Sequence, residues 1–501
     1  MYLDREAGVL LHISSLPSKF GIGDLGPEAF NFVDFLEETG QKIWQVLPLG
    51  PTGYTNSPYS CLSSIAGNPD LISPEKLFEI GFLSKKELAQ IPKCNIDMVD
   101  FAAMYNNKNK VLRESFKKFK TTSNENVKAE FHEFCDQNNY WLHDFAMFMA
   151  ITEYYAQNGH NGDWLGWDES LILRKPEVLA EWDQKLGEEV LYNKYLQFIF
   201  FKQWFELKNY ANKKGVKMIG DIPIYVAFDS ADVWANPEIF QLDENMKPTF
   251  VAGIPGGNPD EEGQKWGNPL YNWEVLKERN YDWLVARLKK NFELMNIVRL
   301  DHFRAFDTYF AIPFDSETTT TGQWLQTPGE EILQAFVNTF GEELPLIVED
   351  YLDITERVIQ LRDQFNLTGI KMLQFAFSGD ENNGYLPQNF DKENYICYTS
   401  THDNNTVRGW FNNASDNEKL FLCQQTQTDG QNVNWDLIKM ALFSKANTAS
   451  YQMQDILGLD ENSRMNNPGT PSGNWAWRFH WDMVTDEIKE TLRDLTKESG
   501  R

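Results

Sequence analysis

An arginine and an aspartate two residues apart end one predicted strand. Ile297-Val298 leads into Arg299-Leu300-Asp301, and side chains at positions i and i+2 of a strand point to the same face. A guanidinium in that position favours the ionised form of the carboxylate by charge pairing. An ionised, oriented carboxylate that does not readily take a proton is suited to act as a nucleophile in sugar chemistry. We therefore expect Asp301 to stay ionised beside Arg299.

Two further acidic residues follow apolar runs. Glu349 comes directly after Leu346–Val348, and Asp403 follows Ile396-Cys397-Tyr398 after a short gap. A carboxylic acid that is partly buried near other carboxylates has a raised pKa and can protonate a leaving oxygen, which we expect of Glu349. The alternative is that Glu349 or Asp350 caps the start of a helix. Three carboxylates at three strand ends predict an enzyme that acts on glycosidic bonds, built on a β/α barrel.

Two other strand ends have two interpretations each. Asp221 ends the run at 216–221, either as a structural aspartate at the barrel rim or as part of the site, with equal weight. In Thr401-His402-Asp403-Asn404-Asn405, His402 alone would be a structural hydrogen-bond donor in a polar loop. Together with Asp301 and Glu349, Asp403 becomes a candidate to bind sugar hydroxyls. The other histidines lack metal-ligand spacing and there is no phosphate-binding loop, so we predict no metal and no cofactor.

Short apolar runs that end in polar residues alternate with helical patterns along the chain, as in repeated βα units. Eight such runs match a closed parallel barrel, whose loops build the site at the carboxyl ends of the strands. We therefore predict the α/β class, with a single (β/α)8 TIM barrel over residues 1–501. The predicted strands cover residues 8–13, 42–47, 216–221, 296–301, 345–349, 369–374, 395–399 and 447–453.

Two gaps between the predicted strands are too long for simple loops. Residues 70–195 carry helical periodicity and predict an inserted, mainly helical subdomain. Residues 225–275 are rich in Pro, Gly, Asn and Trp and predict an inserted loop subdomain over the cleft. The threonine run at 318–321 predicts an exposed loop. Helices are predicted at 28–38, 125–136, 140–155, 192–211 and 354–364.

Composition disfavours several kinds of partner. The net charge is −27, from 46 Lys+Arg and 73 Asp+Glu, which disfavours nucleic acid, anionic membranes and polyphosphates and is compatible with a neutral ligand. Five scattered cysteines without a CxxC pair indicate a reducing compartment. We find no signal or transit pattern and no apolar run of the ~18 residues that span a membrane. We therefore expect a cytoplasmic globular protein.

The chain is rich in aromatic residues, with 16 Trp, 19 Tyr and 35 Phe. Most of the phenylalanines are expected to form the core. Tryptophans in loops rich in Gly, Pro and Asn are different, because a flat apolar face with a polar edge suits a pyranose ring. We expect such faces from Trp164, Trp167, Trp234, Trp266 and Trp475.

Taken together, the motifs resemble a known family along nearly the whole chain. The chain is similar to the 4-α-glucanotransferases, also called amylomaltases or disproportionating enzymes, of the α-amylase superclan. The matching motifs are Ser14-Ser15-Leu16-Pro17, Gly21-Ile22-Gly23-Asp24-Leu25-Gly26, Ser57-Pro58-Tyr59-Ser60, Ala66-Gly67-Asn68-Pro69, Gly220-Asp221-Ile222-Pro223-Ile224, Ser230-Ala231-Asp232-Val233-Trp234, Trp266-Gly267-Asn268-Pro269-Leu270-Tyr271, Arg299-Leu300-Asp301-His302-Phe303-Arg304, Glu349-Asp350, Thr401-His402-Asp403-Asn404 and Gly473-Asn474-Trp475.

The resemblance implies a role for each residue of the site. Asp301 would be the nucleophile, Glu349 the general acid and base, and Asp403 the residue that stabilises the distorted sugar. No metal and no organic cofactor are implied. The implied substrate-binding residues are Tyr59, Asp221, Arg299, His402 and Asn474, with Trp266 on the acceptor side.

Three positions depart from the family pattern. The covering loop usually reads Pro-Pro-Asp-x-Phe, whereas here it is Ile254-Pro255-Gly256-Gly257-Asn258-Pro259-Asp260, without the aromatic residue. Leu-Gly usually follows the Glu-Asp pair, whereas Tyr351-Leu352 follows here, and Ala305 replaces a frequent glycine. The first departure bears on acceptor handling, while the other two leave the catalytic carboxylates intact.

The resemblance implies retaining transfer of an α-1,4-glucan segment to the 4-hydroxyl of another glucan or of glucose. The partners would be maltooligosaccharides and starch- or glycogen-type α-1,4-glucans, in glycogen, starch or maltodextrin metabolism. One alternative is an α-1,4-glucan hydrolase, in which the same residues serve and water resolves the covalent intermediate. The other is an inactive glucan-binding protein, against which the presence of all three carboxylates argues.

Overall fold

The computed structural model describes residues 3–92, 94–160, 162–258, 261–351, 354–470 and 472–501. Within these ranges, no helix is long and apolar enough to cross a membrane. The strands of the described residues are β1 Glu6–Leu10, β2 Ile43–Gln45, β3 Lys217–Ile222, β4 Phe250–Ile254, β5 Gln264–Pro269, β6 Ile297–Leu300, β7 Thr308–Pro313, β8 Gln323–Gln326, β9 Leu346–Val348, β10 Gly369–Met372, β11 Tyr395–Tyr398 and β12 Thr448–Gln452. Their α-helices are α1 Pro27–Glu38, α2 Pro74–Glu79, α3 Lys85–Ala89, α4 Phe101–Thr121, α5 Glu125–Gln137, α6 Asn139–Gln157, α7 Glu169–Ile172, α8 Pro176–Lys185, α9 Gly187–Lys213, α10 Ala231–Ala235, α11 Trp273–Glu278, α12 Asp282–Leu294, α13 Gly329–Phe340, α14 Glu356–Gln364, α15 Val407–Asn413, α16 Asp416–Thr426, α17 Val433–Phe443, α18 Met453–Ile456 and α19 Asp486–Glu498.

Eight strands form a parallel sheet in the order β10-β11-β12-β1-β2-β3-β6-β9. A bridge between Ile347 of β9 and Thr368, directly before β10, brings the two ends of this sheet together. The Val348 N–H donates to the Thr368 carbonyl at 2.9 Å. Each of the eight predicted strands is present, and the predicted (β/α)8 barrel is confirmed. Six strands lie within their predicted bounds, whereas β1 begins two residues earlier, at Glu6, and β3 extends one residue further, to Ile222.

The barrel strands are buried because helices cover the sheet. Every residue of β6 and of β11 is buried, as expected of parallel strands that are covered on both faces. Close packing also explains one glycine. Gly8 of β1 pairs with Ile43 of β2, and a Cβ atom at Gly8 would lie 2.3 Å from the Ile43 Cβ.

Local sequence signals begin the helices around the barrel. Pro27 lies in the first turn of α1, where its missing N–H costs no helical bond. The Thr355 side chain accepts a bond from the Val358 N–H at the start of α14, and Ser415 with Glu418 forms a capping box at α16. The helices predicted at 28–38, 125–136, 140–155, 192–211 and 354–364 correspond to α1, α5, α6, α9 and α14.

Helices α2 to α9 occupy the stretch between β2 and β3. Helix α9 packs against α6 and also contacts α1 and β3. Among the aromatic rings of this region, Phe119 lies 4.8 Å from Tyr195 and 5.0 Å from Phe131. The buried apolar residues of these helices and of the barrel form one continuous cluster. The subdomain limits of 70–195 stay a prediction.

A second, antiparallel sheet lies beside the barrel in the order β5-β4-β7-β8. Strands β4 and β5 fall in the stretch 225–275, whose limits as a subdomain stay a prediction. Val251, Phe310 and Ile312 give this sheet a small apolar cluster of its own. Because β7 follows β6 closely in sequence and β5 carries Trp266, the sheet sets Trp266 beside the segment that follows β6.

Four of the five tryptophans that were expected to face a sugar are buried. Trp164 and Trp234 are 1% exposed, Trp167 is 6% exposed and Trp475 is 7% exposed. The Trp164 indole donates to the Phe228 carbonyl and the Trp234 indole to the Leu171 carbonyl, both at 3.0 Å. The expectation is wrong for Trp164, Trp167 and Trp234 because their rings pack in the core, and the indole N–H groups of Trp164 and Trp234 are also used by backbone carbonyls.

Candidate active site

Arg299 lies at the centre of an acidic cluster at the carboxyl ends of the barrel strands. Its Nη1 is 2.7 Å from Asp301 Oδ1 and 2.7 Å from Asp221 Oδ2, and its Nη2 is 3.3 Å from Glu349 Oε2. The Arg299 side chain is 1% exposed. Asp221 belongs to β3 and Arg299 to β6, while Asp301 and Glu349 directly follow β6 and β9. Neighbouring parallel strands therefore bring the four side chains together.

Tyr59 and His402 form an aromatic pair beside this cluster. The Tyr59 hydroxyl donates to Asp221 Oδ2 at 2.8 Å. Its ring stacks on the His402 ring with centroids 4.9 Å apart, and the Trp475 ring lies 5.8 Å away. Loops after β2 and β11 supply the two stacked rings. Rings with an apolar face and a polar edge suit a sugar.

Asp403 is fixed by side chains from two loops. His402 Nε2 lies 3.2 Å from Asp403 Oδ2, and the Asn466 amide donates to Asp403 Oδ1 at 2.7 Å. Arg464 donates to the Asp403 carbonyl at 3.1 Å. Burial raises the pKa of Asp403, but His402, Asn466 and Arg299 favour the ionised form and bring this pKa below its usual range. Asp403 is therefore a fixed negative charge at the edge of the cluster.

Trp266 lies beside the residue that follows Asp301. Its side chain is 37% exposed, and its ring meets the His302 ring edge-on at 5.0 Å. His302 has a φ of 51°, in the left-handed region that is uncommon for residues other than glycine. In this conformation the His302 N–H donates to Glu349 Oε2 at 2.5 Å. Trp266 thus contacts a residue that itself contacts Glu349.

Asn474 and Trp475 belong to a loop near Asp403. Asn474 Oδ1 accepts a bond from the Asn467 N–H at 2.9 Å, and its Nδ2 donates to the Thr470 carbonyl at 3.2 Å. Trp475 is buried and has a φ of 65°. The contacts of Asn474 brace its own loop, and its role in substrate binding stays a prediction.

The protonation of the two central carboxyls differs from the expectation. Burial, followed by the nearby Glu349 carboxylate, raises the pKa of Asp301 well above its usual value, and Arg299 offsets this only in part. Burial pushes the pKa of Glu349 upward too, but Arg299, the Tyr351 hydroxyl and the His302 N–H favour its ionised form and bring its pKa below the usual value. Both expected directions, an ionised Asp301 and a Glu349 of raised pKa, are therefore wrong in this arrangement of side chains.

A shared guanidinium explains the reversal. Arg299 supplies one positive charge to Asp221, Asp301 and Glu349, and buried carboxylates this close cannot all ionise. The Asp301–Glu349 pair therefore keeps a proton whose pKa belongs to the pair. One protonated and one ionised carboxyl is the combination that an acid and a nucleophile need.

Within the described ranges, no group of three or more His, Cys, Asp or Glu side chains could hold a metal ion.

Sequence reasoning missed Tyr351 and Asn466 as neighbours of the candidate catalytic carboxyls. The Tyr351 side chain is close enough to Glu349 to help lower the pKa of its carboxyl, and the Asn466 amide donates to Asp403. Tyr351 replaces the leucine of the family pattern, and this replacement was a sequence signal that could have drawn attention to it. Asn466 comes from a loop 63 residues after Asp403, and no local pattern points to it.

The threonine run at 318–321 is exposed as predicted at Thr320 and Thr321, but not at Thr319. Thr319 is buried, and its hydroxyl donates to Glu262 Oε2 at 3.0 Å and accepts from the Gly263 N–H at 2.7 Å. Thr318 donates to Glu262 Oε1 at 2.5 Å. We call this contact of Glu262 with Thr318 and Thr319 the Glu262 clasp. It ties the end of the covering loop, residues 254–263, to the turn before β8.

The departures from the family pattern fall partly outside the described residues. Pro259 and Asp260 of the covering loop lie outside them, as does Leu352. Ala305 is buried in the turn that follows β6. Tyr351 is thus the departure whose side chain lies near the Glu349 carboxyl.

The comparison of sequences gives a family. A family model described as 4-alpha-glucanotransferase matches residues 11–485. The chain is 45% identical to the 4-alpha-glucanotransferase of Synechocystis sp., over 99% of this chain and 98% of that protein. It is 42% identical to the 4-alpha-glucanotransferase of Thermus thermophilus, over the full length of both.

The comparison of structures gives the same result. The amylomaltase from Streptococcus agalactiae in complex with acarbose matches with a TM-score of 0.95 at 37% identity, over 99% of both chains. The amylomaltase from Corynebacterium glutamicum matches with a TM-score of 0.80 at 16% identity, over 98% of this chain and 75% of that one, and it shows the fold alone.

The barrel and its carboxylate cluster define the class of this protein as an enzyme of the α-glucan-active (β/α)8 type. Within that class, the chain belongs to the 4-α-glucanotransferase family. The resemblance in the sequence motifs is thereby confirmed, and so is the predicted kind of enzyme.

Proposed function

We propose that the enzyme transfers a segment of an α-1,4-glucan to the 4-hydroxyl of an acceptor glucan or of glucose by a retaining double displacement. The observation that carries this proposal is the contact of Arg299 with both Asp301 and Glu349, at 2.7 and 3.3 Å. It gives one site a protonated and an ionised carboxyl. The names of the relatives support glucan transfer, and the acarbose bound by the Streptococcus agalactiae amylomaltase supports an oligosaccharide substrate.

In the first step, Glu349 donates its proton to the glycosidic oxygen while an Asp301 oxygen bonds to C1 of the donor sugar. The bond between C1 and the glycosidic oxygen breaks, its electron pair goes to that oxygen, and the released glucan carries the proton away. This step needs the proton of the pair on Glu349, the reverse of the pKa order in the free site, so the proton moves from Asp301 to Glu349 before the step, and Arg299 then stabilises the ionised Asp301. The fixed charge of Asp403 stabilises the positive charge that develops on the sugar ring.

In the second step, the 4-hydroxyl oxygen of the acceptor attacks C1 and Glu349 accepts the hydroxyl proton. The bond between C1 and Asp301 breaks, and its electron pair returns to the carboxylate. C1 is inverted twice, so its configuration is retained. While Asp301 is esterified it carries no charge, and an ionised Glu349 then costs less than in the free pair.

The surrounding side chains are proposed to bind the sugars. Tyr59, Asp221, Arg299 and His402 surround the reacting glucose, because they line the cluster from four strand ends. The proposed donors are maltooligosaccharides and starch- or glycogen-type α-1,4-glucans, and glucose serves as an acceptor. The remaining proposed contacts come from Trp266 on the acceptor side and from Asn474.

Incubation with maltotriose and separation of the products tests the proposed reaction. Glucose together with oligosaccharides longer than maltotriose is the expected result. Glucose and maltose alone would identify a hydrolase, in which water takes the place of the acceptor. Unchanged maltotriose would identify an inactive glucan-binding protein and reject the proposal.

We also propose a cytoplasmic location and a role in glycogen, starch or maltodextrin metabolism. The five cysteines are unpaired in the structure, which suits a reducing compartment. Detection of the native protein in fractionated cells tests the location, and its recovery with a membrane or secreted fraction would contradict it.

A further inference from the structure

A single buried carboxylate, that of Asp455, joins the two ends of the loop that carries Asp403. Asp455 belongs to α18, directly after β12, and is buried. Its Oδ2 accepts from the Thr399 hydroxyl at 2.7 Å and from the Ser400 hydroxyl at 2.6 Å, where the loop leaves β11. Its Oδ1 accepts from the Val407 N–H at 2.8 Å, where the loop enters α15. Asp403 lies between these two attachment points, in what we call the 399–407 loop.

The hydrogen bonds of Asp455 are shielded from water. Its three donors, Thr399, Ser400 and Val407, are all buried, and the Gln452 amide at the end of β12 also donates to Ser400 Oγ, at 2.6 Å. Burial raises the pKa of Asp455, and the three donated hydrogen bonds offset this only in part. Loss of the carboxylate would leave buried donors without their acceptor, which is more costly than loss of a bond in water. The ends of the 399–407 loop therefore depend on Asp455.

Asp403 is more exposed than the base of its loop. Its side chain is 38% exposed, and its contacts with Asn466 and Arg464 come from half-buried residues of another loop. The buried attachment of the 399–407 loop at Asp455 is thus the contact that fixes this loop to the barrel. A displacement of the attachment points would move Asp403 with them.

We propose that Asp455 is a positioning residue for Asp403, because its carboxylate fixes both ends of the 399–407 loop and so sets where the Asp403 carboxylate lies relative to the reacting sugar. This inference rests on the proposed role of Asp403 in stabilising the positive charge that develops on the sugar ring. Asp455 is buried and acts through the loop. A misplacement of about 1 Å by a distant residue can cost about a hundredfold in rate.

A double-mutant cycle between Asp455 and Asp403 tests this role. Asp455→Ala is made in the parent enzyme and in Asp403→Asn, and kcat is measured from fluoride release with α-maltotriosyl fluoride as the donor. Fluoride leaves without a proton from Glu349, so the assay isolates the stabilisation of charge on the sugar. We expect Asp455→Ala to lower kcat about 10- to 100-fold in the parent enzyme. In Asp403→Asn the further loss should stay below about twofold, because residues that act through one another are not additive.

Two further variants keep the test independent of correct folding of Asp455→Ala. Asp455→Asn has nearly the same shape and keeps an oxygen for the Val407 N–H, so its kcat should lie within about fivefold of the parent value. Thr399→Val removes one of the three donors. It should lower kcat about three- to tenfold in the parent enzyme and less than about twofold in Asp403→Asn.

Gln41→Leu is the matched control for the loss of a buried polar side chain. Gln41 is buried just before β2, at the end of the barrel opposite the site. Its amide donates to the Thr39 carbonyl at 3.0 Å and to Thr496 Oγ1 at 2.9 Å, and its oxygen accepts from the Tyr451 hydroxyl at 2.5 Å. We expect Gln41→Leu to lower Tm, as Asp455→Ala does, and to leave kcat unchanged.

The outcomes separate failure of this inference from failure of the proposed function. An Asp455→Ala loss that is as large in Asp403→Asn as in the parent enzyme overturns the inference, since the loss then does not pass through Asp403. An unchanged kcat in both Asp455→Ala and Thr399→Val overturns it as well. If Asp403→Asn retains full activity, the proposed role of Asp403 fails and the inference fails with it. If Asp403→Asn is impaired while the Asp455 and Thr399 variants keep the parent kcat, only the inference about Asp455 fails.

Discussion

Replacement of Arg299 by glutamine should destabilise the enzyme in a manner that depends on pH. The Arg299 side chain is 1% exposed and lies 2.7 to 3.3 Å from three carboxylates. Glutamine is uncharged and shorter, so Asp221, Asp301 and Glu349 would lose the one cation they share. Removal of one partner of a buried ion pair costs about 3–5 kcal/mol in the free energy of unfolding.

The sign of the pH dependence follows from the carboxyl pKa values. Burial already raises the pKa of Asp301 and of Asp221, and Arg299 opposes this in both. Without Arg299 the folded-state pKa values rise further above those of the unfolded chain, near 4. The folded protein then binds more protons than the unfolded chain, so stability falls as pH rises from about 4 through the raised pKa values. Each unit of pKa shift contributes about 1.4 kcal/mol.

Calorimetric unfolding of the parent enzyme and of Arg299→Gln at pH 5 and at pH 8 measures this. The difference in Tm should be clearly larger at pH 8 than at pH 5. Arg501→Gln is the matched control, because Arg501 donates to the backbone carbonyls of Leu442 and Asn447 at 2.7 and 2.6 Å, and its loss should be similar at both pH values. An Arg299→Gln loss that is equal at the two pH values, or larger at pH 5, would refute the shared-cation argument.

Three other outcomes are expected. Trp266→Ala should lower the ratio of transfer to hydrolysis on maltotriose about three- to tenfold by removing a stacking surface, and an equal loss of both rates would leave Trp266 as a loop anchor. Glu262→Ala should lower the same ratio of transfer to hydrolysis about two- to fivefold, because it removes the Glu262 clasp. Glu317→Ala, at an exposed glutamate, should leave this ratio unchanged. An equal change in the two variants would contradict a role for the clasp. Asp301→Ala should abolish turnover while Tm stays equal or rises, because a buried carboxyl is lost, and a ligand-bound crystal structure with the Asp301 and Glu349 carboxyls about 9 Å apart would contradict the retaining assignment.

Apolar runs were enough to locate the barrel strands because a parallel strand buried on both faces reads as a continuous apolar segment. The antiparallel sheet was not found by the same reasoning. Strand β5, Gln264–Pro269, contains a glycine and a proline, and only Pro269 of its six residues is buried, so neither alternation nor an apolar run marks it. Its pairing with Phe250–Ile254 is seen only in the folded structure. The prediction of a loop subdomain at 225–275 followed from that missing signal.

The candidate site shows a similar division. The spacing of Arg299 and Asp301 predicted their contact correctly, because residues two apart on a strand share a face. It did not predict that the same guanidinium also serves Asp221 and Glu349, which come from strands 78 residues before it and 50 residues after it. Reasoning from the single Arg299–Asp301 pair therefore gave the wrong directions for the pKa shifts of Asp301 and Glu349. These directions depend on how many carboxylates share one cation, and that number is set by the fold.

His302 connects the proposed acceptor surface, Trp266, with the proposed base, Glu349. The ring of His302 meets Trp266 at 5.0 Å, and its N–H donates to Glu349. The left-handed φ of 51° at His302 costs conformational energy, and such strain persists only when the surrounding contacts fix it. Trp266 on one side and Glu349 on the other are such contacts. In the proposed reaction, an acceptor sugar that stacks on Trp266 therefore also supports His302, whose N–H contacts Glu349. The proposed acceptor would then help to hold the proposed base in place.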